Sequence, residues 1–146
     1  MVVVVEGQTV LKVDAHTHIL PADIPEEFSE VPLRLIHYEQ ESYTGTSGPF
    51  IARLEYKDDG RLFRELKANC FDADRILEEC DGCGVDVQVI CTVPVMFNYQ
   101  LPASAGVPWA KFINDDLART VARRPDRLAA LGTLPLQEPH PRTLLM

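Results

Sequence analysis

The residues best suited to chemistry are His16 and His18, in the run Asp14-Ala15-His16-Thr17-His18. Side chains alternate faces along a β-strand, so two imidazoles two positions apart point the same way. Placed like that, they can hold one divalent metal from a single strand. Asp14 falls on the same face by the same count and would support the pair from behind. A bare His-x-His also arises as two ordinary strand-end residues, and on spacing alone the two readings stand level. The β-branched residues before the run, and Ile19-Leu20-Pro21 after it, tilt the balance toward a metal strand.

Other residues need the same weighing. Arg64 follows Lys57-Asp58-Asp59-Gly60, a hairpin-turn sequence because Asp-Gly favours positive φ. A solvated strand-edge charge is its plain reading; a planar fork for a carboxylate is its functional one. Met96 and Phe97 follow the second strand, where they either wall a substrate pocket or pack in the core. Trp109 reads as a core anchor. Cys80-Asp81-Gly82-Cys83 has redox or half-zinc-site spacing, but it sits at a helix end and lacks a second pair. Burial of both thiols on the inner helix face is the better account. His37 and His140 fit no ligand position and read as surface residues.

These side chains need elements to position them. Val2–Val5 and Val10–Val13 form a hairpin or an extended leader. Leu11–Ile19 is the first strong strand, ended by Pro21 and Pro25. Residues 21–69 have no steady period and form a long insertion. Within it Arg34–Tyr38, Ile51–Tyr56 and Arg61–Leu66 make a small antiparallel piece. Asp72 caps a helix carrying Ile76, Leu77, Cys80 and Cys83, and Gly84 ends it. Val85–Thr92 is the second strand, with Val85, Val87, Val89 and Cys91 on its odd positions. A helix from Pro108 to Arg124 and a strand over Leu128–Leu134 follow, and Pro139–Met146 begins a third helix. Strand, insertion, helix, strand, helix, strand is an α/β order with a parallel sheet.

Composition bounds the function classes. The chain has 146 residues, 46% hydrophobic and 25% charged, which suits one globular domain with a real core. Its net charge of −8 argues against nucleic acid or an anionic membrane surface as partner. The apolar run Val2–Val5 is too short for a signal peptide or a membrane helix, so the expected compartment is the cytosol. Four cysteines in such a chain are expected to be free thiols.

Val13-Asp14-Ala15-His16-Thr17-His18-Ile19-Leu20-Pro21 resembles the first barrel strand of the amidohydrolase superfamily. Four later stretches narrow the resemblance: Gly60–Arg64, Asn69-Cys70-Phe71-Asp72, Cys91–Phe97 with Asn114–Ala118, and Pro125–Leu128 with Leu131–Gln137. Together they resemble the family of 2-amino-3-carboxymuconate-6-semialdehyde decarboxylases, over roughly Lys12 to Glu138. The resemblance implies an α/β chain forming part of a (β/α)₈ barrel, with residues 1–10 as an extension and residues 11–146 as its N-terminal portion. That portion would hold the first three strand–helix units plus the insertion. It implies zinc at the C-terminal mouth of the strands, with His16 and His18 as two of its ligands. A further histidine and an aspartate, together with an acid/base histidine, would lie beyond Met146. Arg64 would bind a substrate carboxylate. The implied reaction is non-oxidative loss of carbon dioxide from a carboxylated semialdehyde in tryptophan and kynurenine breakdown, diverting flux from quinolinate and NAD synthesis. Zinc suits this, because it lowers the pKa of its water toward neutrality. Family members form homodimers.

A (β/α)₈ barrel takes about 250 residues. Taken alone, this chain is therefore expected to be catalytically incomplete. Two other readings stay open: another amidohydrolase-type hydrolase or aromatic-acid decarboxylase, and a non-catalytic truncated form that associates with a full-length barrel.

Overall fold

The computed structural model describes residues 3–5, 8–38 and 51–137. Strands β1 (Val3–Val5) and β2 (Gln8–Val10) pair antiparallel as a hairpin, one of the two forms expected there, with its second strand at Gln8–Val10 and not at Val10–Val13. Strand β3 (Val13–Ile19) then leads into the insertion. There β4 (Leu33–His37), β5 (Ala52–Tyr56) and β6 (Leu62–Leu66) form the expected antiparallel sheet, in that order. The turn into β6 is made by Gly60 at φ +70, a conformation that suits glycine. Helix α1 (Ala73–Cys83), β7 (Val87–Thr92), helix α2 (Ala103–Arg123) and β8 (Leu128–Leu131) complete the order. Strands β3, β7 and β8 are parallel neighbours. The segment Pro139–Met146, read above as the start of a helix, lies outside the described residues.

Local signals explain α1. The Asp72 carboxylate accepts from the backbone N–H of Asp74, and Gly84 closes the helix in the left-handed region at φ +67. Ile76, Leu77 and Cys80 recur on one face and are buried. Cys83 is exposed, so the expected burial of both thiols holds for Cys80 alone. Burial pushes the Cys80 thiol above its ordinary pKa. Iodoacetamide is therefore expected to label Cys83 readily and to leave Cys80 largely unmodified in the folded chain. Equal labelling of the two in a mass-spectrometric peptide map would contradict this packing.

Helix α2 starts five residues before the expected Pro108. Pro102 precedes it, and its carbonyl accepts from the N–H groups of Ala105 and Gly106. Pro108 is the sixth residue of this helix and removes one bond, the one its N–H would make to the carbonyl four residues before. Trp109, Ala110, Ile113 and Leu117 then form the buried stripe. Next to this stripe, the Asn114 amide donates to the Thr133 carbonyl at 2.9 Å and accepts from the Thr133 N–H at 2.8 Å. This side chain replaces a strand partner just past β8, which ends at Leu131 and not at Leu134.

The buried side of β7 is its even side: Gln88, Ile90 and Thr92 lie at 4% exposure or less. The apolar odd positions Val87, Val89 and Cys91 are only half-buried on the opposite face. Both faces of a strand in a parallel sheet tend to be apolar, so the pattern alone does not tell which side the helices cover.

Candidate functional site

His18 lies near the C-terminal end of β3, and the parallel partner β7 ends beside it, with His18 opposite Cys91. His16 is exposed and His18 half-buried. Their rings meet edge to face, centroids 4.8 Å apart. Both line a cavity of about 420 Å³. Its other walls are Thr17, Ile19 and Leu20 from the end of β3, Leu54 from β5, and Phe63, Arg64 and Leu66 from β6. Asn69 and Cys70 come from the short 3₁₀ turn Ala68–Cys70, and Val93 and Val95 from the segment after β7. The Leu20 N–H donates to the Cys70 carbonyl at 2.8 Å, which ties the far end of the insertion to the end of the histidine strand.

Two register slips shape this cavity. Along β3, Asp14 faces Gln88 and Thr17 faces Ile90, so three steps on β3 span two on β7. This bulge turns Asp14 toward α1, where it lines a separate cavity with Cys80, Cys83 and Gln88. Asp14 therefore does not stand behind the imidazoles as strict alternation predicts. Its bond to His16 is to the backbone N–H, at 3.2 Å. The Gln88 amide and that N–H hold the Asp14 carboxyl below its ordinary pKa. Along β6, Leu54 faces Arg64 and Glu55 faces Leu62, so one step on β5 spans two on β6. Adjacent residues on a regular strand point to opposite faces, yet Phe63 and Arg64 both reach the cavity.

Arg64 is exposed, and among the described residues it has no ion-pair or hydrogen-bond partner. Its neighbours Arg34 and Arg53 differ: both pair with the buried Glu55, at 2.5 and 2.9 Å. An unpaired guanidinium on a cavity wall is a ready partner for an anionic group.

Of the two readings open for Met96 and Phe97, pocket wall or core, neither residue lines the cavity; Val93 and Val95 do. Met96 is fully buried, and its carbonyl accepts from the Trp109 indole N–H at 2.6 Å. Phe97 stacks on Tyr99 outside the cavity, ring centroids 5.4 Å apart. The cause is the 3₁₀ turn Pro94–Met96, which rolls the chain so that Met96 drops beneath α2. Asn69, Cys70 and Phe63 were not singled out from the sequence. Their only signal was membership in stretches that carried the resemblance. His37 bonds the Ala22 carbonyl at 2.8 Å, away from the cavity, and His140 lies outside the described residues.

Two imidazoles on one cavity wall fit zinc by donor type. They supply two donors of the four that such a site takes. Among the described residues, no three His, Cys, Asp or Glu side chains come together as a metal-binding group. No helix among them is long and apolar enough to cross a membrane.

No protein-family model matches this chain. It is 36% identical to a 2-amino-3-carboxymuconate-6-semialdehyde decarboxylase from Caenorhabditis elegans, over 87% of this chain and 30% of that protein. It is 35% identical to a protein of the same name from Dictyostelium discoideum, over 87% of this chain and 33% of that protein. The chain thus spans about a third of the length of the curated relatives it matches, and the family resemblance read from its motifs holds across most of its own length. Among solved structures, the apo form of Metarhizium anisopliae IDCase matches with a TM-score of 0.64. It covers 92% of this chain and 37% of its own length at 23% identity, a likeness of fold.

Proposed function

We propose, from that similarity to decarboxylases, that this chain forms the metal-strand and carboxylate-binding portion of a zinc-dependent decarboxylase acting on 2-amino-3-carboxymuconate 6-semialdehyde. The observation that carries the reading is the convergence of His16, His18 and Arg64, from two segments far apart in sequence, on one cavity. Zinc bound there would supply an activated water at neutral pH. The chain's own residues do the rest of what is assigned to them. His16 and His18 offer two nitrogen donors. Arg64 holds a substrate carboxylate through charge-assisted hydrogen bonds, and Val93, Val95 and Leu54 keep that end of the substrate in an apolar wall.

We further assign the three parallel strands to the start of a (β/α)₈ barrel. Leu131 and Val13 are 57% and 50% exposed, apolar positions that further strands would cover. The remaining metal donors and the acid/base histidine would come from those strands, so the chain alone is expected to turn over little or no substrate. A cytosolic location and a homodimeric full-length form complete the reading.

The test is a chimera. This chain replaces the matching segment of the Caenorhabditis elegans decarboxylase, and zinc content and carbon dioxide release are measured. A folded, zinc-loaded, active chimera is expected. Arg64→Ala in it should raise KM by roughly 10- to 150-fold, the equivalent of about 1.5–3 kcal/mol for a hydrogen bond to a charged group. A folded chimera without zinc, or with KM unmoved by Arg64→Ala, would overturn the assignment.

A further inference from the structure

The contacts around the His18 ring settle more than its position. Its Nδ1 lies 3.2 Å from the Thr92 carbonyl oxygen and 3.4 Å from the Cys91 Sγ. A carbonyl oxygen only accepts, so a hydrogen bond there requires the proton on Nδ1. The Cys91 thiol donates to the Thr17 carbonyl at 3.3 Å. With its hydrogen spent there, the sulfur turns lone pairs toward Nδ1. Both neighbours of Nδ1 therefore accept, and the two contacts favour the same tautomer.

The fold explains why the arrangement is available. His18 and Cys91 are register partners on parallel strands, so their side chains stand together on one face. The Cys91 thiol reaches back across the pair to the backbone of β3. Thr92 is 2% exposed with its side chain on the opposite face, so its backbone is held in place by the core.

We infer that the Thr92 carbonyl and the Cys91 sulfur lock His18 in the Nδ1–H tautomer, leaving the Nε2 lone pair for the cavity, and that Cys91 is a positioning residue. The inference rests on the reading of His18 as a metal ligand only for its purpose; the tautomer itself belongs to the metal-free chain. Metal-binding imidazoles commonly use their second nitrogen in this way to fix ring orientation. Here a cysteine shares that work with a backbone carbonyl.

The experiment is long-range ¹H–¹⁵N NMR on the ¹⁵N-labelled, metal-free 146-residue chain, above the pH at which its histidines titrate. His18 is assigned by comparison with His18→Gln. The expected pattern is a protonated Nδ1 and an unprotonated Nε2. Cys91→Ala removes one acceptor and should lower the Nδ1–H to Nε2–H ratio several-fold, whereas Cys91→Ser keeps an acceptor and should restore it toward the original. A predominantly Nε2-protonated His18 in the unsubstituted chain would overturn the lock. An unchanged ratio in folded Cys91→Ala, or an equal drop in Cys91→Ser, would remove Cys91 from it. Zinc titration of the same samples separates the two readings. Zinc that broadens neither His16 nor His18 defeats the metal assignment while leaving the tautomer result standing. Zinc bound by a ring that is Nε2-protonated when metal-free does the reverse.

Discussion

Replacing His18 with alanine is expected to abolish zinc retention in the chimeric decarboxylase, weakening affinity by more than about 100-fold, since even the loss of an outer hydrogen-bonding partner costs 10- to 100-fold. His16→Ala should do the same. The two rings stand 4.8 Å apart on one wall of the cavity, and they are the two imidazoles that line it. Asp14 cannot step in, because the bulge in β3 turns it toward α1. The decisive comparison is Asp14→Asn. It should leave zinc content near that of the unsubstituted protein, whereas strict alternation would have it weaken binding. Metal analysis after gel filtration reads all three variants. Full zinc content in His18→Ala would place the metal elsewhere.

The largest effect on stability is expected at Trp109. It is 1% exposed, its ring packs edge-on against Phe28 at 5.2 Å, and its indole N–H donates to the Met96 carbonyl. Removing a buried tryptophan side chain costs about 3–5 kcal/mol. The orphaned Met96 carbonyl adds about 1–3 kcal/mol when water cannot reach it. Whole domains hold only about 5–15 kcal/mol, so Trp109→Ala should unfold the chain or lower its Tm by more than roughly 10 °C. Trp109→Phe keeps most of the ring volume and loses the hydrogen bond, so it should fall in between. A thermal melt followed by circular dichroism distinguishes the three. A Tm for Trp109→Ala within a few degrees of the original would mean that α2 does not depend on this anchor. The contact also matters for the site, because Met96 ends the 3₁₀ turn that carries Val93 and Val95 to the cavity wall.

Much of this protein follows from its sequence because the signals are local. Asp72 and Gly84 bound α1 through bonds made within a few residues, and the Asp-Gly turn sets the hairpin before β6. The α/β order follows from hydrophobic period, and the pairing of His16 with His18 from a spacing of two. The family resemblance supplied Arg64, whose residue type alone reads as a surface charge.

What the tertiary structure decided depends on partners that no local window contains. The bulges in β3 and β6 exist only in register with β7 and β5, and they move Asp14 away from the histidines while bringing Phe63 and Arg64 to one cavity. The sequence puts the apolar residues of β7 on its odd positions, yet packing buried the even ones, Gln88, Ile90 and Thr92, and left Val89 half-buried. Position along the chain left Met96 and Phe97 between pocket wall and core, and a single 3₁₀ turn with the Trp109 hydrogen bond placed Met96 in the core and Phe97 outside the cavity. Sequence determined which chemical groups this chain carries and roughly where along its strands. Tertiary pairing decided which way they face, because a one-residue slip in register reverses a strand's faces without changing a single residue.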